Sequence, residues 1–111
     1  MTRRMLVCMA HPDDESFGLG ALIAKYVAEG VEVSLICTTN GDVGTVQPEF
    51  LPGRASISDL RLAELRCATE ILGIKEVITL GYRDSGMMGS PDHDHPASSW
   101  QVPLATMRDQ V

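Results

Sequence analysis

The sequence predicts an α/β fold, a Rossmann-like parallel sheet with flanking helices, whose pattern covers only the first half of such a domain. Three observations carry this reading. Strand-length apolar runs alternate with helical periodicities in the order β-α-β-loop-α-β. A glycine, Gly30 or Gly73, closes each helical pattern just before the next apolar run. The first run ends in His11-Pro12-Asp13-Asp14-Glu15, which gathers polar side chains where open α/β sheets bind their ligands.

Arg4 to Met9 reads as a buried strand, short and apolar with no helical spacing. Pro12 pushes His11 into extended backbone and suits the first turn of a helix. From Phe17 to Val27, the positions Leu19, Leu22, Ile23, Tyr26 and Val27 recur at three- and four-residue steps, an amphipathic helix. Val31 to Thr38 (VEVSLICT) is the second strand, and a strand-helix-strand unit implies parallel neighbours. Asn40 to Ser58 has no period and holds Gly41, Gly44, Pro48, Pro52 and Gly53; loops of this length are usually functional or disordered. Ser58 is placed to cap the second helix, with Leu62, Leu65, Ala68, Thr69 and Leu72 turned inward. Glu76 to Leu80 (EVITL) is the third strand. From Gly81 onward the order weakens into a polar lid segment containing Asp92-His93-Asp94-His95. Leu104 to Val111 looks helical again for two turns, with no cap and nothing to pack against. Residues 1–111 read as a single domain that stops halfway: a fragment, a truncated chain, or one partner of a swapped or oligomeric assembly. The open edge at the first strand favours association, so a homo-oligomer is expected.

The 111 residues are 44% hydrophobic, enough for a small core, and carry a net charge of -6. That balance excludes the basic face that nucleic-acid binding needs. No apolar run approaches the ~18–20 residues of a membrane span. The basic start Met1-Thr2-Arg3-Arg4 is followed by an apolar stretch too short for the ~7–15 residues of a signal-peptide core. The chain therefore reads as cytoplasmic. Cys8, Cys37 and Cys67 are odd in number and lack CxxC spacing, so they read as buried small hydrophobes in a reducing compartment.

His11 and Asp14 lie three apart across a tight turn, close enough for an imidazole nitrogen and a carboxylate oxygen to share one ion. Catalytic zinc generally takes three protein ligands of this kind and keeps a position open for water. Asp13, not binding the metal, could then take the water's proton. A bland account competes: acids in a first helical turn complement the helix dipole, and proline there is ordinary. That account leaves the histidine unexplained. Gly18-Leu19-Gly20 falls inside the helical pattern and is no dinucleotide fingerprint. Met87-Met88 reads as gap-filling.

Four motifs in order carry a resemblance over nearly the whole chain. Ala10-His11-Pro12-Asp13-Asp14-Glu15 resembles the signature of the LmbE-like, or PIG-L, N-acetylglucosaminyl deacetylases. Cys37-Thr38-Thr39-Asn40-Gly41 resembles that family's second strand and turn, and Arg61-Leu62-Ala63-Glu64-Leu65 its Arg-x-x-Glu-Leu helix. Gly81-Tyr82-Arg83-Asp84-Ser85-Gly86-Met87 is similar to the segment after the third strand in the GlcNAc-inositol branch. The resemblance implies a zinc-dependent hydrolase that removes the N-acetyl group from a small GlcNAc-containing substrate, another divalent metal being an alternative to zinc. It makes His11 and Asp14 metal ligands, Asp13 the general base, and Arg61 and Asp84 substrate-binding residues. The alternatives are an exposed Arg61 paired with Glu64 or Glu70, and an Asp84 that caps a turn. The family's third ligand and its oxyanion-stabilising histidine come from a Gly-His-Pro-Asp-His motif that this sequence lacks. His93 and His95 fall instead in a variable loop and read as solvent-facing lid residues. With two ligands, metal binding would be weak and the 111 residues alone inactive. The competing function is a catalytically silent α/β sugar-binding or assembly module; a nucleotide-binding Rossmann half is remoter still.

Overall fold

Three strands form one parallel sheet in the order β1 (Arg4–Met9), β2 (Glu32–Thr39), β3 (Glu76–Tyr82). Two helices, α1 (Asp14–Ala28) and α2 (Ile57–Leu72), make the crossovers, and a short α3 (Leu104–Gln110) follows, in a computed structural model that describes residues 1–111. Both crossovers step the same way across the sheet, and right-handed connections then lay both helices on one face. There Val7, Val33, Leu35 and Cys37 of the strands pack with Ile23 of α1 and Leu65 of α2 as a single core.

No helix covers the opposite face, although Ile36 on the central strand is only 4% exposed there. Cys8, Ile36 and Ile78 form one row across the three strands. Leu6 and Ile78 on that face are 50% and 40% exposed. The molecule is only 19 Å through its thinnest axis, two layers where a doubly wound fold has three. Its radius of gyration, 15.0 Å, exceeds the roughly 13 Å of a compact domain of this size.

Several expected boundaries and burials move. The first helix begins at Asp14, because Asp13 already accepts the Ser16 and Phe17 N–H groups. Leu22 is exposed, at the margin of the apolar stripe. The second helix is capped by Ser56, not Ser58: Ser56 is extended and its Oγ accepts the Asp59 N–H at 3.1 Å. Of the cysteines only Cys37 is buried. Cys8 alternates onto the helix-free face of β1, and Cys67 is exposed on α2.

The third strand runs two residues further than expected, to Tyr82, through a bulge. Cys37 pairs with Thr79 and Thr39 with Tyr82, so β3 carries one extra residue there. Gly81 supplies the left-handed backbone at φ 75°. Beyond the bulge the polar segment is tied down rather than loose. Arg83 donates its N–H to the Ala97 carbonyl, its own carbonyl accepts the Ser99 N–H, and Ser98 is fully buried. Turns satisfy that backbone, which is why periodicity is silent about it. The short α3 does have a partner: the Tyr82 hydroxyl donates to the Gln110 side chain. No helix is long and apolar enough to cross a membrane.

Candidate metal and catalytic site

The carboxyl ends of β1 and β2 are locked together one residue before His11. The Ala10 carbonyl accepts the Thr39 N–H at 3.0 Å and the Thr39 hydroxyl at 2.7 Å. The chain then turns tightly: His11 donates its N–H to Asp14 Oδ2 at 3.0 Å, and Asp14 returns its N–H to the His11 carbonyl at 3.2 Å. This leaves His11 Nδ1 3.4 Å from Asp14 Oδ2. Two tetrahedral zinc ligands at ordinary bond lengths stand roughly 3.4 Å apart, so the pair fits two corners of such a site.

The other face of the imidazole is also occupied. His11 Nε2 lies 3.2 Å from Oδ1 of Asp84, which is 7% exposed. The ring stands between the two carboxylates, so the three groups do not converge on one point. No cluster of three or more His, Cys, Asp or Glu side chains suited to a metal forms. His93 packs its ring on Trp100 at 4.9 Å, and His95 Nδ1 accepts the Ala97 N–H. Both histidines are spent within the lid segment, and His93 is half-buried rather than solvent-facing.

Asp13 sits in strained backbone, φ 150° and ψ -25°, which costs a residue other than glycine on the order of 1–3 kcal/mol. Glu15 holds it there. Its carboxylate is 1% exposed and accepts the Asp13 N–H at 3.1 Å and the Ser16 hydroxyl at 3.0 Å. With its backbone so fixed, Asp13 turns its side chain outward to Arg61 Nη2 at 3.0 Å.

Arg61 reaches in from α2 and joins the two loops at the sheet's edge. Its Nη2 also donates to the Pro12 carbonyl at 2.9 Å, and Nη1 to the Gly41 carbonyl at 3.0 Å. A Cβ at Gly41 or Gly44 would come within 2.6 or 2.5 Å of Nη1, so both glycines make room for the guanidinium. Arg61 pairs with neither Glu64 nor Glu70. A cleft of about 450 Å³ opens beside it, lined also by Asp13, Val46, Phe50 and Glu64.

Asp84 follows the bulge. Its N–H donates to Asp42 Oδ1 at 3.0 Å, and its Oδ1 accepts the Gly86 N–H at 3.0 Å, so it caps a turn as well as meeting His11. Arg83 bridges Asp92 at 2.7 Å and Asp42 at 3.3 Å, and the Asp92 hydrogen bond raises its pKa further. Behind the turn, burial and the Glu15 carboxylate push the Cys37 thiol up to about 11, which makes it a poor thiolate.

Sequence reasoning missed Glu15 and Asp42. Glu15 stands among the acids of the first helical turn, where free backbone N–H groups favour a carboxylate, and that local signal was available. Asp42 carries no such signal, since its partners come from a segment forty residues on.

Residues 6–108 match the family model described as PIG-L: GlcNAc-PI de-N-acetylase. A 1D-myo-inositol 2-acetamido-2-deoxy-alpha-D-glucopyranoside deacetylase of Thermobifida fusca is 42% identical over 118 residues, covering 98% of this chain and 41% of that protein. Among solved structures, the N,N'-diacetylchitobiose deacetylase of Pyrococcus horikoshii superposes with a TM-score of 0.66 at 32% identity, over 79% of this chain and 32% of that one. The 4-carboxy-2-hydroxymuconate hydratase of Pseudomonas putida superposes at 0.62 with 26% identity, over 82% and 39%. The chain spans about two fifths of the length of the curated relatives it matches.

Proposed function

The chain belongs to the PIG-L, GlcNAc-PI de-N-acetylase, family, and from that membership we propose that it supplies the metal-and-base portion of a zinc-dependent hydrolase removing the N-acetyl group from an N-acetylglucosamine-containing substrate. The relatives named as GlcNAc-inositol and diacetylchitobiose deacetylases support the substrate class. The observation that carries the chemistry is the 3.4 Å separation of His11 Nδ1 and Asp14 Oδ2, with Asp13 in the turn that joins them.

His11 and Asp14 would hold the ion. When bound, it would polarise the amide carbonyl and make water a better acid. Asp13 would accept the proton of the attacking water, its carboxylate kept in place by the Arg61 fork and its backbone by Glu15. Arg61 would offer the substrate only the edge of a guanidinium already held by two carbonyls and a carboxylate. The imidazole and carboxylate donors also suit other divalent ions, which compete with zinc for the same pair.

The test is metal content together with thermal stability. The purified chain is expected to bind zinc and melt higher with it, and His11→Ala to lose both effects. A chain that neither binds zinc nor responds to chelation would favour the second reading, a silent sugar-binding module.

A further inference from the structure

The resemblance gives Asp84 to the substrate, yet the structure sets one of its oxygens on the histidine. We propose that Asp84 is a positioning residue for His11. Its carboxylate accepts the Nε2–H, which fixes the tautomer whose Nδ1 lone pair faces Asp14. The value of this to a metal rests on the function proposed above; the tautomer itself does not.

A neutral imidazole carries one proton, and two carboxylates compete for it. Asp14 Oδ2 stands 3.4 Å from Nδ1, and Asp84 Oδ1 stands 3.2 Å from Nε2. The Asp14 side chain is 39% exposed and that of Asp84 9%, so water weakens the first contact far more than the second. Each of these oxygens also accepts one backbone N–H, Asp14 Oδ2 from His11 and Asp84 Oδ1 from Gly86, so exposure decides between them. The proton therefore belongs on Nε2. Histidines that bind metals are generally oriented in this way, through a carboxylate on the other ring nitrogen.

The surrounding chain is built to hold that carboxylate. The Gly81 bulge carries β3 one residue past its register and sets Asp84 against the end of β1. Asp42 grips the Asp84 N–H, and the Gly86 N–H fixes Oδ1. Arg83 ties Asp42 and Asp92 together beside it.

The experiment uses the full 111-residue chain, labelled with ¹⁵N histidine, free of metal and at alkaline pH. Long-range proton–nitrogen spectra report which nitrogen of His11 is protonated. The wild-type chain is expected to show Nε2–H. In Asp84→Asn and Asp84→Ala, Asp14 is left as the only carboxylate on the ring, and the proton moves toward Nδ1. The asparagine keeps the Oδ1 that accepts both the Gly86 N–H and the Nε2–H but without its charge, so the shift there is partial, and in the alanine variant complete. The zinc dissociation constant, measured by chelator competition, should rise about 10- to 100-fold in Asp84→Asn. A wild-type chain protonated on Nδ1, or a His11 pattern identical in the wild-type chain and in every Asp84 variant that folds, overturns the inference, even if zinc binds tightly and the hydrolase reading stands. Conversely, a proton that shifts between the wild-type chain and the Asp84 variants, in a chain that binds no zinc, supports the positioning role and counts against the metal chemistry alone.

Discussion

At the scale of single residues, the site depends on two carboxylates doing unlike jobs. Asp13 is strained and turned outward; Glu15 is buried and serves the backbone. Arg61 is the cation common to this edge, bound to Asp13 and to two loop carbonyls with its side chain only 14% exposed. Arg61→Ala strips a charged donor from all three acceptors and should cost about 2 kcal/mol, read as a lower urea midpoint with an unchanged slope. A midpoint within error of wild type would show the guanidinium to be ornamental. Cys37 gives a pH signature. Its thiol stays protonated up to about 11 in the fold but ionises near its ordinary value of 9.0 once unfolded. Between those values the folded state holds the extra proton, so stability falls as pH rises through that window and levels above it. Thiol-reactive probes at pH 8 should label Cys8 and Cys67 at once and Cys37 only on unfolding.

At the scale of elements, capping and glycine positions make the sharpest tests. Ser56→Ala removes the acceptor for the Asp59 N–H and should cost about 1 kcal/mol, whereas Ser58→Ala should be close to neutral. Two glycines are expected to behave in opposite ways. Gly18 lies inside α1 with nothing within 4 Å of a new Cβ, so Gly18→Ala should stabilise by about 0.5–1 kcal/mol. Gly44→Ala would place its Cβ 2.5 Å from Arg61 Nη1, and displacing that guanidinium should cost about 1–3 kcal/mol. Paired denaturation curves decide this, and equal effects at the two sites would refute the role given to Gly44. The strands and helices were largely legible beforehand, because apolar period and closing glycines are local signals. The cap at Ser56 and the Gly81 bulge were not. Each depends on which of several adjacent residues the packed sheet leaves extended or left-handed.

At the scale of the whole molecule, the sheet is covered on one side only. Crossovers in a single direction set α1 and α2 on one face, and a doubly wound sheet is covered on the other by the helices of crossovers wound back from β1. Leu6 and Ile78 stay partly exposed as a result. The chain should bind an apolar dye and associate as concentration rises. The pair Leu6→Thr and Ile78→Thr should weaken both effects, as followed by dye fluorescence and sedimentation. A dye signal unchanged by that pair would mean the apolar surface lies elsewhere.

The sequence by itself determined the order of elements, the parallel pairing and the meeting of His11 with Asp14. All three follow from short-range rules: a period, a proline, a turn of three residues. Tertiary structure alone decided that Arg61 would grip Asp13, that Asp84 would stand against His11, and that Asp42 would carry Asp84. Those contacts join residues 48, 73 and 42 positions apart. No local pattern encodes them, because they exist only once β1, β2 and β3 lie side by side and a one-residue bulge has set the register at their carboxyl ends.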